Sequence, residues 1–427
     1  MLDKSRERSK QSAQMMVLFG RRRIGKTSLA LKAAASGDYV YLFVSKKNER
    51  LLCQDFVVEI ERSLNTEVFG EFFRFRDIFA YLMQQAKTRH FTLIIDEFQE
   101  FVHIQPAVFS EIQEIWDRNK QEAKLHLIIS GSVHRLMHEI FENSKEPLFG
   151  RASGRIHLQA FEPSTMVEIM RDHASSFTHE DLLAVYTVTG GIPKYLELLV
   201  GRNCLTYATI RDEIFQQDAY WLDEGKFLLM EEFGKDYQVY FSILSLIASG
   251  KTSRTDIESI LEKNIGGYLD RLVNDYNLLQ VVRPFLARPQ SRIQKYEIVD
   301  HFLRFWFRFI FKYRASVESK NFTYLKDIFD RDFRSFAGKT LEMWFRNNWR
   351  EKGYYTSLGN FWEKGGNEID IVAVNDKDKK VVFAEVKINP DRLSLPVLQQ
   401  KAEKVLQKLP GYGPEYKLLS LEDMLTT

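Results

Sequence analysis

Cysteine is scarce: two residues in 427, Cys53 and Cys204, far apart and in no metal-ligand spacing. They exclude a disulfide framework and fit a reducing compartment, so a cytoplasmic location is expected. Surplus charge is missing as well, with 60 basic residues against 58 acidic ones and a formal net charge of +2. That balance neither demands nor forbids nucleic acid, because a basic patch can sit inside a neutral total. Long apolar runs are also absent. The nearest, Phe302 to Tyr313, is too short to span a bilayer and carries Arg304, Arg308 and Lys312. Its Phe302, Phe305, Trp306, Phe309 and Ile310 fall on one helical face, so a core-facing helix is expected and no membrane partner. Met1 to Ser12 is polar and has no apolar stretch of the secretory kind. No internal repeat and no low-complexity linker interrupts the chain.

What is present is globular material, 44% hydrophobic and 28% charged. From about Met15 to Phe161, short apolar runs alternate with helical patterns. The strand candidates are Met16–Phe19, Tyr39–Val44, Thr92–Ile95 and His126–Ser130. Such alternation predicts βαβ units around a buried parallel sheet, an α/β fold. The first strand runs directly into Gly20-Arg21-Arg22-Arg23-Ile24-Gly25-Lys26-Thr27, with a helix expected from Lys26 to about Ser36 and Gly37 as its cap. This is the GxxxxGK[ST] pattern in its required setting, strand before and helix after. The glycines let backbone N–H groups turn inward around phosphates, and the helix aims its positive end at the same anion. Lys26 is expected to reach the β- and γ-phosphates and Thr27 to ligate Mg²⁺, with Ser28 the next residue of the cradle.

A magnesium acid is expected at the end of a neighbouring strand, and Thr92-Leu-Ile-Ile95 leads into Asp96-Glu97. Asp96 would complete the Mg²⁺ shell and Glu97 would polarise the attacking water; the plainer reading is that Glu97 caps the next helix. A third strand ends in Ser130-Gly131-Ser132, where a polar side chain such as that of Ser130 could touch the γ-phosphate or the water, or the segment could form an ordinary turn.

In the order GRRRIGKT, LIIDEFQEF, IISGS, PLFGR (Pro147–Arg151) and TGGIPKYL (Thr189–Leu196), the chain resembles the archaeal-type ATPases of the AAA+/STAND group. With its C-terminal block it resembles the two-part bacterial and archaeal proteins that join such an ATPase to a DUF234 domain. The resemblance covers nearly the whole chain and implies ATP and Mg²⁺ as cofactors. It implies that Gly191-Ile192-Pro193 marks a small helical subdomain beside the nucleotide. It also puts Arg151 and Arg155 where an arginine could sense the γ-phosphate, or else form surface salt bridges. Family members usually begin with a phenylalanine and an Arg-Glu pair that help seat the adenine. Here the polar stretch Met1 to Gln14 precedes the first strand, a departure at the base.

Further on, Tyr240–Ala248, a helix capped by Thr252 or Ser253, and Ile265–Tyr276 precede two short strands, Leu279–Val282 and Lys295–Ile298. Helix, helix, helix, hairpin is winged-helix order. The third helix carries Arg271 but also Asp270 and Asp275, whereas Arg283, Arg288, Arg292 and Lys295 make the wing basic. DNA reading and packing against the rest of the chain are both open to it.

Near the end, Ile369–Val374 and Val381–Lys387 flank a polar turn at 375–380, a hairpin signal. Pairing Val374 with Val381 and Val372 with Phe383 sets Asp370 opposite Glu385, with Lys387 on the same face. Opposed carboxylates need a cation, which Lys387 or Mg²⁺ can supply. This Asp…Glu-x-Lys arrangement resembles the PD-(D/E)xK nuclease fold. The resemblance implies that Glu342, in a helix Lys339–Trp349, completes the metal set with Asp370 and Glu385, and that Lys387 orients the attacking water; a structural ion pair is the alternative.

The expected architecture is thus a P-loop core (1–161), a helical lid (162–235), a winged-helix-like part (236–313) and a restriction-endonuclease-like domain (314–427). The expected function is ATP hydrolysis governing a Mg²⁺-dependent DNA-binding or DNA-cleaving domain. The alternative is a nucleotide-driven switch or scaffold that forms a homo-oligomer and does not cut. ATP and DNA are the expected partners.

Overall fold

Apolar strands without polar alternation must be covered on both faces, and the first sheet follows that rule. It comprises β1 (Gln14–Phe19), β2 (Tyr39–Phe43), β3 (Phe91–Asp96), β4 (Leu125–Gly131) and β5 (Gly154–His157), in the order β2-β3-β4-β1-β5 with every pair parallel. Alternate residues feed opposite cores. Met15, Val17, Leu93, Ile95, Leu127 and Ile129 pack on one side; Met16, Leu18, Ile94 and Ile128 meet Leu2, Ala30 and Ala34 on the other. The structure, a computed structural model, describes every residue except Val133, 234–236, Pro289, Arg292, 364–365 and Thr427, and for His134 the backbone alone. Arg292 and the expected boundary at 235 therefore lie outside the described residues. The chain divides into two compact units, Met1–Gln159 with Asn274–Tyr276, and Ala160–Val273 with Asn277–Thr427.

Two elements of the first unit escape the sequence pattern. Leu2–Ser9 is a helix, polar in composition yet burying Leu2, Ser5 and Ser9. β5 alternates intermediate and exposed residues, so it carries no apolar signal. The helix after the P-loop is Lys26–Ala34 with Ala35 at its C-cap, so Gly37 lies beyond the cap expected of it.

His126 is fully buried in β4, with Nδ1 3.5 Å from Thr92 Oγ1 and no hydrogen-bond partner at Nε2. Burial pushes its pKa down to about 4, while the unfolded chain titrates near 6.5. Between those values the unfolded state binds the extra proton, so stability should fall as pH drops from about 6.5 towards 4, by on the order of 2–3 kcal/mol. Denaturant unfolding at pH 7 and pH 4.5 should show this loss, and His126→Leu should remove its share of the slope; an unchanged slope would refute the assignment.

The second unit begins with helices from Pro163 onward and includes Tyr237–Ala248, Arg254–Leu261 and Gly266–Asn274, with Ser253 accepting the Asp256 N–H as N-cap of the second. Next come β6 (Leu279–Val282) and β7 (Lys295–Ile298), paired antiparallel. This is the helix and hairpin order read from the sequence. Its wing is not free, however. The Phe285 N–H donates to the Asn360 carbonyl at 2.7 Å, the Phe285 ring closes over Gly359, and Lys295 lies 4.6 Å from the centre of the Trp362 ring. The base of the wing thus packs within the unit, while Leu286, Arg288 and Ile293 of its loop are exposed. The aromatic helix is His301–Phe309, ending in a 3₁₀ turn at Phe311–Tyr313, and it buries Phe302, Phe305, Trp306 and Phe309.

The last sheet contains β8 (Ser357–Trp362), β9 (Glu368–Asn375), β10 (Lys380–Lys387) and β11 (Gly413–Ser420), in the order β11-β10-β9-β8. β8 and β10 run antiparallel to β9, while β11 runs parallel to β10. Val381 pairs with Val374 and Phe383 with Val372, the register expected from the turn. Beside the sheet, Phe322–Lys352 is one helix of 31 residues, longer than the segment the sequence marked.

Candidate functional site

The nucleotide site is a turn forced on the chain at the end of β1. A Cβ at Gly20 would stand 2.6 Å from the Leu158 carbonyl oxygen, so only glycine fits there. Arg23 and Gly25 take left-handed backbone, φ 67° and 87°, and Gly25 is the N-cap of the following helix. Ile24 is buried under the loop, Arg21 and Arg22 are half-buried, and Ser28 is exposed on the first turn. Lys26 is buried and folds back into the loop, donating to the Gly20 and Arg21 carbonyls at 2.9 and 3.0 Å. The ammonium thus occupies the concavity where the cradle's N–H groups would hold an anion.

β3 delivers Asp96 to this loop. Its Oδ2 accepts from Thr27 Oγ1 at 2.6 Å and from the Tyr41 hydroxyl at 3.0 Å. Its Oδ1 accepts from Ser130 Oγ at 2.5 Å and from the Glu97 N–H at 3.0 Å. A hydroxyl and a carboxylate brought together beside a phosphate cradle fit one Mg²⁺, which takes a few oxygen ligands and keeps its waters. Burial and the Asp96 charge hold the Tyr41 phenol well above its ordinary range, so it remains a donor. Tyr41 was missed in the sequence because its contact depends on β2 lying beside β3; an aromatic near the end of an adjacent strand was the available signal.

Glu97 has left-handed backbone, φ 53°, and makes no capping hydrogen bond to the turn that follows. Its carboxylate instead accepts from Ser132 Oγ at 2.8 Å and from Gln99 Nε2 at 2.5 Å. Gln99 joins Tyr41 as a site residue not singled out beforehand, whereas Ser132 belongs to the segment read from the sequence. Arg151 is not part of this cluster. Its guanidinium binds Asp117 at 2.9 and 3.1 Å and the carbonyls of Pro147 and Phe149. Arg155 similarly engages the Phe141 carbonyl and Glu142. Pro193 starts the helix Pro193–Gly201 in the second unit.

The C-terminal acids also converge, with lysines among them. Lys387 Nζ lies 3.0 Å from both Asp370 Oδ2 and Glu385 Oε1, and Asp370 also accepts the Val386 N–H at 2.8 Å. Lys401, from the helix Leu395–Leu406, holds both Glu385 oxygens at 3.1 Å. No sequence signal marked Lys401, because its role depends on that helix packing against β10. Glu342 pairs with Lys339 at 2.8 Å. Burial raises the Glu342 pKa, Lys339 opposes the rise, and the nearby Asp370 charge adds to it. Burial alone would lower the Lys387 pKa, but Asp370 and Glu385 outweigh it, so the ammonium stays charged. Among the described residues, no three His, Cys, Asp or Glu side chains are arranged to hold a metal ion. The metal set expected of Glu342, Asp370 and Glu385 is therefore not assembled as a cage; ammonium groups balance these acids.

A phosphate-binding turn after β1, an acid at the end of β3 and a polar residue at the end of β4 define a P-loop nucleoside-triphosphatase fold. Residues 6–199 match the family described as an ATPase domain predominantly from Archaea, and residues 306–405 match DUF234, archaeal and bacterial proteins of unknown function. The chain thus carries an archaeal-type P-loop ATPase domain followed by a C-terminal DUF234 domain. An uncharacterized protein of Methanocaldococcus jannaschii is 28% identical over 389 residues, 88% of this chain and 82% of that protein. A second uncharacterized protein of that organism is 38% identical over 56 residues, 13% of this chain and 54% of that one. Among solved structures, the Walker-type ATPase of Pyrococcus abyssi superposes with a TM-score of 0.55 at 17% identity, covering 72% of this chain and 94% of that one. That likeness is one of fold. No described helix is long and apolar enough to cross a membrane.

Proposed function

We propose that the chain hydrolyses ATP at the P-loop and uses the nucleotide state to govern a C-terminal domain that acts on DNA. The observation that carries the first half is the contact of Thr27 and Asp96 at 2.6 Å beside the buried Lys26. In this reading the cradle from Gly20 to Thr27 grips the phosphates, and Lys26 leaves the Gly20 and Arg21 carbonyls for the β- and γ-phosphates. Thr27 and Asp96 would hold Mg²⁺, which neutralises charge developing on the phosphoryl oxygens. Glu97 orients and deprotonates the attacking water, and Ser132 and Gln99 fix its carboxylate. Ser130 acts through Asp96, by holding its second oxygen.

The DNA half rests on the Asp370, Glu385 and Lys387 cluster in a DUF234 domain. A second reading, a nucleotide-driven switch that self-associates and binds without cutting, is favoured by the lysine partners taken by these acids. One experiment separates them: ATP turnover and plasmid nicking, each with and without DNA and divalent cation, in wild type, Glu97→Gln, Asp370→Ala and Glu385→Ala. The first reading expects ATP turnover to change when DNA is added, and nicking to vanish in Asp370→Ala. DNA left intact by wild type at every metal and ATP concentration would exclude cutting. ATP turnover indifferent to DNA would exclude coupling.

A further inference from the structure

The wall of the C-terminal site carries more positive charge than its acids balance. Lys339, Glu342 and Arg346 are spaced three and four residues apart on the helix Phe322–Lys352, which sets them along one face. Lys339 serves two acids, Glu342 at 2.8 Å and Glu297 of β7 at 3.8 Å. Arg304 enters from the helix His301–Phe309. Its guanidinium donates to Met343 Sδ at 3.1 Å and lies 5.5 Å from the centre of the Phe336 ring, with no oxygen acceptor among the described residues. The Arg346 side chain makes no hydrogen bond and no ion pair among the described residues.

Burial lowers the Arg304 pKa; Glu297 and Glu342 oppose the fall, and the neighbouring Arg346 charge adds to it. Met343, which Arg304 touches, lies three residues before Arg346 on one helix, so the two like-charged guanidinium groups flank the same stretch of it, near a glutamate that already has a lysine. Three cations meet two acids here, while Lys387 and Lys401 match Asp370 and Glu385 one for one. Arginine presents planar paired donors suited to phosphate oxygens. An anion placed between these guanidiniums would relieve the repulsion and satisfy the idle donors.

We propose that Arg346, with Arg304 behind it, binds a phosphate group beside Asp370, Glu385 and Lys387, and that in the working protein this phosphate belongs to the DNA backbone. The proposal rests on the reading that the C-terminal domain acts on DNA, and its test keeps the two separable. Binding of a labelled duplex to the full chain is followed by anisotropy across a salt series in EDTA, and binding of inorganic phosphate by calorimetry. Arg346→Ala should weaken duplex binding about tenfold, as expected for losing hydrogen bonds to a charged group. The slope of log affinity against log salt should fall by about one, and by a similar amount for any duplex sequence. Arg346→Lys should recover part of the loss. Arg350→Ala, on the exposed last turn of the same helix, should bind as wild type does. Thermal unfolding of each variant checks that the fold survives.

If Arg346→Ala binds both duplex and phosphate as wild type does, the arginine site is refuted while the DNA reading stands. If wild type ignores duplex but binds phosphate, and Arg346→Ala loses that binding, the site stands as one for a small phosphate and the DNA reading falls. If wild type binds neither, both fall.

Discussion

Glu97→Gln should leave ATP bound and almost unhydrolysed, with turnover lowered about a hundredfold or more, the usual contribution of a positioned general base. The amide keeps the size of the carboxylate, so the strained turn at φ 53° and the contacts to Ser132 and Gln99 have little reason to rearrange. What disappears is the ability to take a proton from water. Lys26→Ala should behave differently. It removes the ammonium from the cradle itself, so nucleotide affinity should fall together with turnover. Titration with a fluorescent ATP analogue alongside phosphate release distinguishes the two variants. Full turnover in Glu97→Gln would remove Glu97 from the mechanism, and unchanged nucleotide affinity in Lys26→Ala would overturn the phosphate assignment.

Trp306→Ala should destabilise the second unit by about 3–5 kcal/mol, the range for removing a large buried aromatic. The indole is 1% exposed and donates Nε1–H to the Leu222 carbonyl at 3.0 Å. It lies against Gly225, where an added Cβ would come within 2.3 Å of the ring, and stacks with Phe311. Truncation therefore opens a cavity and removes one of the donors to the Leu222 carbonyl, leaving it the Arg314 guanidinium at 3.5 Å. Denaturant unfolding of the full chain, followed at more than one wavelength because a chain with two units need not unfold in one step, provides the measurement. A loss below about 1 kcal/mol would show that the neighbouring rings collapse into the space.

Particular residues show where sequence reasoning stops. The P-loop was legible because its requirements are local: two glycines for the turn, a lysine and threonine at fixed offsets, and an apolar strand immediately before. Asp96 was legible because a buried strand that ends in an acid pair is unusual. The C-terminal hairpin could be registered from its polar turn, since residue pairing alternates with period two. Arg151 was marked by resemblance, yet its partners are Asp117 and two carbonyls, a choice that depends on where the neighbouring helix lies. The helix Leu2–Ser9 and β5 escaped because their few buried residues make no periodic pattern.

By itself, then, the amino-acid order determined the chemistry that lies within one turn of the backbone: the phosphate cradle, the acid pair, the aromatic helix and the opposed carboxylates of a hairpin. Tertiary structure alone decided what each charge faces. Tyr41 reaches Asp96 only because β2 neighbours β3, and Lys401 neutralises Glu385 only because a later helix packs on β10. The wing is pinned to β8 only because Phe285 finds Gly359. Electrostatic and packing contacts act across space over a few ångströms, and residues brought that close can be separated by any length of chain.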